Sequence, residues 1–189
     1  MSSDDRQEKL EARPGHLIRR LQQISFAIFM DQARHFDVTP VQYAAIVAIS
    51  NHPGIDQTEL CNIIAFDRST IGDVVTRLEK KKLIKRRHNP LDRRTKSLDV
   101  TAAGQRLIHD IEPAVRATQR LILAPLTPAE RHAFMQMLKR LVHLNNAHSR
   151  APMRPKEARQ RRQRPAASGS GGKTPPATRA RPRQDALAD

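Results

Sequence analysis

Apolar residues recur at helical intervals along most of the first 150 positions. In segment 67–82, four aliphatic residues fall at i, i+3, i+4 and i+7 and so share one face: Ile71, Val74, Val75 and Leu78. Segment 127–148 has a similar stripe, made of Phe134, Met137, Leu138, Leu141 and Val142. Both segments are therefore predicted to be helices that lay one apolar face on other parts of a fold.

A helix predicted over about 14–35 differs because it is apolar on two sides. One stripe consists of Leu17, Leu21, Ile24 and Ile28, and the other of Phe26, Phe29, Met30 and Ala33. A helix with two apolar sides has to be covered twice, once by its own fold and once by something else. A second copy of the chain is the simplest cover.

Helix starts are marked by capping residues. Thr39, Asp56 and Thr127 each precede a Gln or Glu three positions later, which is the spacing of a capping box, and Asp67 is a fourth N-cap. One more helix is predicted over 101–124. Pro113 lies inside it and is expected to kink or split it.

The predicted order is four helices, a two-stranded hairpin with its turn at Asn89-Pro90, and two more helices. The third and fourth helices are short and tightly joined, which is the layout of a winged helix-turn-helix. The run from Arg68 to Gly104 resembles the MarR family of bacterial transcription regulators. Its matching elements are Leu78-Glu79, Leu83-Ile84, Asp92-Arg93-Arg94, Leu98-Asp99-Val100-Thr101 and Gly104. The family's glycine before Leu-Ile is Lys82 here, so that turn needs a left-handed residue without glycine, or another geometry.

The resemblance covers about 14–148 and implies a mainly α fold, α+β only through its small wing. Residues 37–103 would form the DNA-binding part, and the helices of 14–36 and 104–148 a dimerisation domain. A homodimer of this kind reads the inverted half-sites of a near-palindromic operator. Residues 1–13 are predicted to be flexible, and the basic, Pro/Arg/Ala/Gly-rich residues 149–189 to be disordered.

Charge narrows the class of partner. A net charge of +15 favours a polyanion, with nucleic acid ahead of lipid. Since no apolar run approaches the roughly 18 to 20 residues of a membrane span and the N-terminus has no signal-peptide core, a cytoplasmic protein without a membrane partner is predicted.

Few residues suggest bond chemistry or metal binding. The single cysteine excludes an internal disulfide and a cysteine-rich zinc site, and the eight histidines lack the spacing of a closed metal site. The sequence has no nucleophile elbow, phosphate loop or metalloprotease motif. We therefore predict neither an enzyme nor a cofactor.

A polar face lies opposite Ile71 on the 67–82 helix, at 100° per residue. Together with its flanking positions it supplies the candidate DNA-binding residues Arg68, Ser69, Thr70, Asp73, Thr76 and Arg77. Serine, threonine and arginine bind base edges or phosphates. Asp73 either accepts from a cytosine amino group or, as the favoured alternative, pairs with Arg77 one turn later.

The predicted wing adds the DNA-binding candidates Arg86, Arg87, Asp92, Arg93 and Arg94. A run of this kind is also compatible with a merely solvated hairpin. Its place directly after a recognition-type helix favours DNA, because arginine suits the narrow, negative minor groove. The resemblance implies that Arg94 enters that groove and that Asp92 positions it.

The resemblance also implies an effector site between the dimer helices and the winged part, for small aromatic or other anionic molecules. Its candidate residues are His16, Arg19, Arg20, Phe26, Phe29, Met30, Phe36 and Tyr43. Arginine or histidine would pair with a carboxylate while the aromatic and Met side chains hold a ring. The same Phe and Met spacing also fits an ordinary core.

The function predicted is a homodimeric, sequence-specific DNA-binding repressor that an aromatic acid or its coenzyme A thioester releases. One alternative is an architectural or constitutive DNA-binding protein without an effector. Another is a regulator that senses oxidants through Cys61, although the neighbouring Leu60 and Ile64 favour an inert buried thiol. The basic tail either adds salt-sensitive, non-specific affinity or is inert.

Overall fold

A computed structural model describes residues 10–88, 96–149 and 151–152. In chain order its elements are α1 (Pro14–Gln32), α2 (Pro40–Asn51), β1 (Ile55–Asp56), α3 (Gln57–Ile64), α4 (Arg68–Lys80), β2 (Ile84–His88), β3 (Lys96–Val100), α5 (Ala102–Leu123) and α6 (Pro128–Leu144), followed by a 3-10 turn (Asn146–His148). The predicted mainly α, winged helix-turn-helix architecture is confirmed. Most of the predicted flexible N-terminus and basic tail, residues 1–9 and 153–189, lies outside the described part.

The sheet has one strand more than the predicted hairpin. Its order is β1-β3-β2, and both pairings are antiparallel, with Ile55 opposite Leu98 and Ile84 opposite Val100. Strand β1 has only two residues, too few for an alternating pattern to show in the sequence. Through β1 the wing is joined directly to the start of the helix-turn-helix.

One core lies beneath the helix-turn-helix and the wing. The four apolar residues of the α4 stripe are buried, as predicted from their spacing. Ile46 and Ile49 of α2, Leu60 of α3 and Ile111 of α5 are fully buried in the same core. Because α4 gives up its whole apolar face to this core, its opposite face is left free for a partner.

Helix α1 contacts the body of the fold through one side only. Phe29 and Ala33 are buried, and the helix packs along α5. Leu17, Leu21 and Ile24, from the other predicted stripe, remain exposed, as do Phe26 and Met30. The first helix therefore still carries uncovered apolar surface.

Most predicted caps form. Thr39 and Thr127 make complete capping boxes with Gln42 and Glu130. Asp56 makes half of its predicted box, since its carboxylate accepts the Glu59 N–H at 2.7 Å without the reciprocal bond. Helix α5 runs unbroken through Pro113, so the predicted split does not occur. Among the described residues no helix is both long and apolar enough to cross a membrane.

The turn that ends α4 uses a left-handed residue, although that residue is not glycine. Lys82 has φ of 58°. Its N–H donates to the Glu79 carbonyl at 2.9 Å, and the N–H of Leu83 donates to the Leu78 carbonyl at 3.0 Å. These two bonds make a Schellman motif, with Leu83 buried beyond it. Of the two geometries left open by the sequence, the chain adopts the left-handed one.

The start of α5 is bonded to that same turn. Thr101 caps α5 by accepting the Gly104 N–H at 3.1 Å, and its hydroxyl lies 2.8 Å from the Lys82 carbonyl, to which it can donate. The Thr101 N–H donates to the Leu83 carbonyl at 3.0 Å. A Cβ added to Gly104 would lie 2.2 Å from that carbonyl oxygen. The motif's Thr-x-x-Gly thus fixes the end of α4 against the start of α5.

Candidate nucleic-acid interface

The exposed face of α4 carries most of the candidate DNA-binding residues. Arg68, Ser69, Asp73, Thr76 and Arg77 are exposed, and Thr70 is half-buried at the edge of the face. The opposite side of the helix is anchored in the core, so these side chains project from a rigid support. A polar helix face of this kind fits a major groove.

The first turn of α4 is organised by the carboxylate of its N-cap, Asp67. Ser69 donates its hydroxyl proton to Asp67 Oδ1 at 2.6 Å and Thr70 donates its own to Oδ2 at 2.9 Å, while the Thr70 N–H donates to Oδ1 at 2.9 Å. These bonds, the one from the Ser69 hydroxyl foremost, lower the pKa of Asp67 to about 2. The carboxylate is therefore ionised at neutral pH.

Arg86 ties the wing to the recognition helix. Its Nη2 donates to Thr76 Oγ1 at 2.8 Å, and its Nε lies 3.1 Å from Glu79 Oε2, within ion-pair distance but not aligned for a hydrogen bond. Thr76 also donates its own proton to the Gly72 carbonyl at 2.9 Å. Both side chains, which are among the predicted DNA-binding residues, already have partners within the fold.

Arg87 remains more accessible. Its Nε lies 3.3 Å from Asp99 Oδ2 on the neighbouring strand, yet its side chain is 61% exposed. A surface pair of this kind contributes little to stability, so the guanidinium can exchange partners at low cost. Arg87 therefore remains accessible to a partner, and its contact with DNA stays a prediction.

Two predicted features of the interface have different outcomes. Asp73 and Arg77 are not joined by an ion pair within the described ranges, so the favoured pairing of the two is wrong. Asp92, Arg93 and Arg94, at the predicted tip of the wing, lie outside the described residues. The role of that tip stays a prediction.

A cationic cleft of about 340 Å³ lies between α3, the start of α4 and the base of the wing. Arg68, Arg86 and Lys96 contribute to its walls, and Arg68 Nη2 is held by Thr58 Oγ1 at 3.0 Å. Lys96 and Thr58 are absent from the residues selected by sequence. The period-2 alternation of β3, which puts Lys96 on the same face as the buried Leu98, is the signal that points to Lys96.

A second cavity, of about 250 Å³, lies between α1, α2 and α5. It is lined by Gln22, Ser25, Phe26, Phe29, Pro40, Tyr43, Val115, Thr118 and Gln119. Of the predicted effector residues, the structure brings Phe26, Phe29 and Tyr43 together here, with the Phe29 and Tyr43 rings 6.0 Å apart. Thr118, buried and donating its hydroxyl to the Ala114 carbonyl, was missed because a single threonine between Ala117 and Gln119 belongs to no motif.

The other predicted effector residues lie elsewhere. Met30 lines a separate cavity beside Arg77 and Lys81, and Phe36 packs against the core. His16, Arg19 and Arg20 precede the cavity on α1 and do not line it. Within one chain the cavity wall is therefore aromatic and polar without a cation.

Burial raises the pKa of two side chains near these sites. Burial raises the pKa of Tyr43, and the nearby Glu112 carboxylate, 3.5 Å from its hydroxyl, adds to the rise. Burial likewise raises the pKa of the Cys61 thiol, only partly offset by Arg68. A thiol of this kind reacts slowly, which agrees with the inert buried cysteine favoured by the sequence. Within the described ranges no cluster of three or more His, Cys, Asp or Glu residues could hold a metal ion.

Comparisons with known proteins agree with this geometry. A family model described as the MarR family matches residues 36–95. The HTH-type transcriptional repressor NicR of Pseudomonas putida is 31% identical over 128 residues, which are 68% of this chain and 81% of NicR. A probable transcriptional regulator of Pseudomonas aeruginosa has a solved structure that is 32% identical and covers 70% of this chain and 98% of its own, with a TM-score of 0.67.

A third similar protein is regulated by a small molecule. BpsR of Bordetella bronchiseptica, whose DNA binding is regulated by 6-hydroxynicotinic acid, is 27% identical over 69% of this chain and 94% of its own, with a TM-score of 0.66. All three matches span well over half of this chain. The similarity therefore extends well beyond the 60 residues that the family model matches.

Proposed function

The chain belongs to the MarR family of transcriptional regulators, and on that premise we propose that it is a homodimeric repressor that a small aromatic acid releases from its operator. One observation carries the DNA-binding part: α4 buries its entire apolar face and exposes Arg68, Ser69, Asp73 and Arg77 on the other side. The repressor role is supported by the similarity to NicR.

Selection from a random duplex library tests sequence-specific binding. A regulator should enrich one near-palindromic site and prefer it over random DNA by at least about 10³-fold. An architectural DNA-binding protein, the competing class, would enrich no site and show a much smaller ratio. The ratio has to be measured at a fixed salt concentration because phosphate contacts make affinity strongly salt-dependent.

The homodimer is supported by apolar surface that one chain leaves uncovered. None of the 17 residues of α6 is buried, although Met137, Leu138, Leu141 and Val142 stand on it. Exposed apolar residues on α1 add to this surface. Burial of each such side chain stabilises an interface by about 1.5 to 3 kcal/mol, so a second copy is the proposed cover. A two-fold dimer presents two copies of α4 to inverted half-sites.

The cavity between α1, α2 and α5 is the proposed effector site. Its volume of about 250 Å³ suits a single-ring molecule, and Phe26, Phe29 and Tyr43 supply aromatic walls. The similarity to BpsR supports an aromatic acid as the ligand class. A coenzyme A thioester would have to leave most of its length outside a cavity of this size.

Arg19 is the proposed partner of the effector's carboxylate. It stands three and seven residues before Gln22 and Phe26, which places all three on one face of α1. Its side chain is exposed, and it would have to turn towards the C-terminal end of α1 to reach an effector in the cavity. Arg20, the next residue, points about 100° away and serves as the matched control.

Isothermal titration of the wild type, Arg19→Met and Arg20→Met with hydroxynicotinic and hydroxybenzoic acids tests this site. We expect Arg19→Met to weaken binding about tenfold or more through loss of a charge-assisted hydrogen bond, while Arg20→Met has little effect. If no acid gives a binding heat, the proposed effector site is rejected and a constitutive DNA-binding protein is favoured. A peroxide response that Cys61→Ser abolishes would instead favour the redox-sensing alternative.

The predicted wing tip keeps its own test. If Asp92 holds Arg94 in the rotamer that enters the minor groove, Asp92→Ala weakens operator binding even though it removes a negative charge. Simple charge counting predicts tighter binding. A gel-shift titration of the two proteins on the selected operator decides between these outcomes.

A further inference from the structure

The hydroxyl groups on the first turn of the recognition helix are committed as donors. Ser69 Oγ lies 2.6 Å from Asp67 Oδ1, and Thr70 Oγ1 lies 2.9 Å from Asp67 Oδ2. An ionised carboxylate carries no proton and can only accept, so in both contacts the hydroxyl must donate. The low pKa of Asp67 keeps it ionised at any pH where the protein would bind DNA.

A hydroxyl has one proton and two lone pairs. Once Ser69 has given its proton to Asp67, only its lone pairs are available to a second partner. Ser69 is the second residue of α4 and is exposed, whereas Thr70 is half-buried. In helix-turn-helix proteins the N-terminal residues of the recognition helix are the ones that reach base edges.

Base edges in the major groove differ in the groups that can satisfy such an oxygen. Adenine N6 and cytosine N4 offer amino protons, whereas guanine O6 and N7, thymine O4 and all phosphate oxygens are acceptors only. An oxygen restricted to accepting therefore fits adenine or cytosine and cannot bond to phosphate. Asp73, one turn later on the same exposed face, is likewise an acceptor.

We infer that Asp67 is a specificity-determining residue: it orients the Ser69 hydroxyl so that this position of the recognition helix reads an amino group of adenine or cytosine. The inference rests on the proposed DNA-binding function and adds to it the polarity of one base contact. Asp67 itself is a positioning residue, since it acts through Ser69. A cap that served only helix stability would leave base preference independent of Asp67.

Asp67→Gly removes the acceptor and largely keeps the cap, because glycine is among the favoured N-cap residues. Asp67→Asn would not do this, since Oδ1 accepts both the Ser69 hydroxyl and the Thr70 N–H and the NH₂ group would lie beside Thr70 Oγ1 instead. Without the carboxylate, the Ser69 hydroxyl can turn its proton towards the groove and donate as well as accept.

The test is library selection with full-length wild type and Asp67→Gly, followed by binding titrations on the selected duplexes. In the wild type we expect adenine or cytosine at one position per half-site, and about fivefold weaker binding when that base loses its amino group, as with purine in place of adenine. In Asp67→Gly we expect this preference to disappear, so that guanine or thymine is accepted there about as well, because the freed hydroxyl can donate.

Two controls separate this inference from other causes. Ser69→Ala should abolish the preference at that position and make the added Asp67→Gly change silent. Asp56→Gly alters the matching cap of α3, whose carboxylate accepts the Glu59 N–H, and should leave base preference unchanged. Circular dichroism confirms that each variant keeps its helix content.

The outcomes are distinguishable. If the wild type selects no site, the proposed function fails and this inference fails with it. If the wild type selects a site but Asp67→Gly keeps the same preferences and loss of the amino group changes nothing, the regulator stands and the role of Asp67 in specificity is overturned.

Discussion

The end of α4 and the whole of α6 differ in what surrounds them. Around Leu83 the chain closes a Schellman turn, receives the N–H of Thr101 and leaves no space for a Cβ on Gly104. Helix α6 has the apolar residues of a core helix, yet none of its residues is buried. The described winged part thus has its own core within one chain, whereas the packing of α6 is proposed to come from a second copy. The folding stability of the winged helix-turn-helix part and the stability of the proposed dimer should therefore respond to different substitutions.

The largest effect is expected in α6. Leu141→Glu removes one apolar side chain from each of the two copies, and a loss of about 2 kcal/mol per copy weakens the dimer by about 10³-fold. Sedimentation velocity over a concentration series measures the shift. Gln136→Glu adds the same charge off the apolar face of α6 and should leave the association unchanged. A monomer already present in the wild type would overturn the contrast between the two regions.

The next effect is expected at the junction. Gly104→Ala places a Cβ 2.2 Å from the Leu83 carbonyl and 2.6 Å from Val100 Cγ1, and overpacking against backbone costs about 3 kcal/mol of unfolding free energy. Gly72→Ala is the matched control, since its Cβ would meet nothing nearer than Gln57 Nε2 at 3.5 Å. In the interior of α4, alanine should stabilise by about 0.5 to 1 kcal/mol. Urea denaturation should show a lower unfolding free energy for Gly104→Ala and a higher one for Gly72→Ala. Changes of the same sign would contradict the close approach of Gly104 to the Leu83 carbonyl.

A smaller effect of opposite direction is expected at Lys82, in the turn that ends α4. Lys82→Gly relieves a left-handed residue and should raise the unfolding free energy by about 1 kcal/mol. Lys80→Gly, in the last turn of α4 with ordinary helical geometry, should instead lower it by about 1 kcal/mol. Thermal unfolding separates the two. If both variants lost stability, the Schellman geometry at Lys82 would be wrong.

Local sequence was enough for the parts of this fold that depend on near neighbours. The stripe of α4, the caps at Thr39, Asp67 and Thr127 and the order of the helices and the hairpin follow from spacing within a few residues. Strand β1 was missed because two residues carry no pattern, and its pairing is set by Leu98, far along the chain. The contacts of Arg86 with Thr76 and Glu79 depend on the register of β2 against α4, which no local rule supplies.

The candidate effector site was predictable only in part, for the same reason. Phe26, Phe29 and Tyr43 stood out as aromatic residues in a chain that has few of them. Gln119 and Thr118 join them from α5, about 75 residues after Tyr43, where only tertiary packing brings them together. The Asp73–Arg77 ion pair, by contrast, was predicted from local spacing and does not form within the described residues. The i,i+4 spacing permits such a contact without requiring it.

The smallest effect is the raised pKa of Tyr43, which reports whether the cavity between α1, α2 and α5 is shielded from solvent. The chain has one tyrosine and no tryptophan, so the ultraviolet titration of tyrosinate reports Tyr43 alone. Its midpoint should lie above the ordinary value of about 10 because burial, and then Glu112, disfavour the anion. The stabilisation that accompanies this shift is full below that value and is lost as the pH rises towards the folded-state pKa. Glu112→Gln should lower the midpoint but leave it above 10, since burial is the larger cause, whereas Glu130→Gln on α6 should not move it. A midpoint at the ordinary value would mean that Tyr43 is solvated and that the proposed effector cavity is open to water.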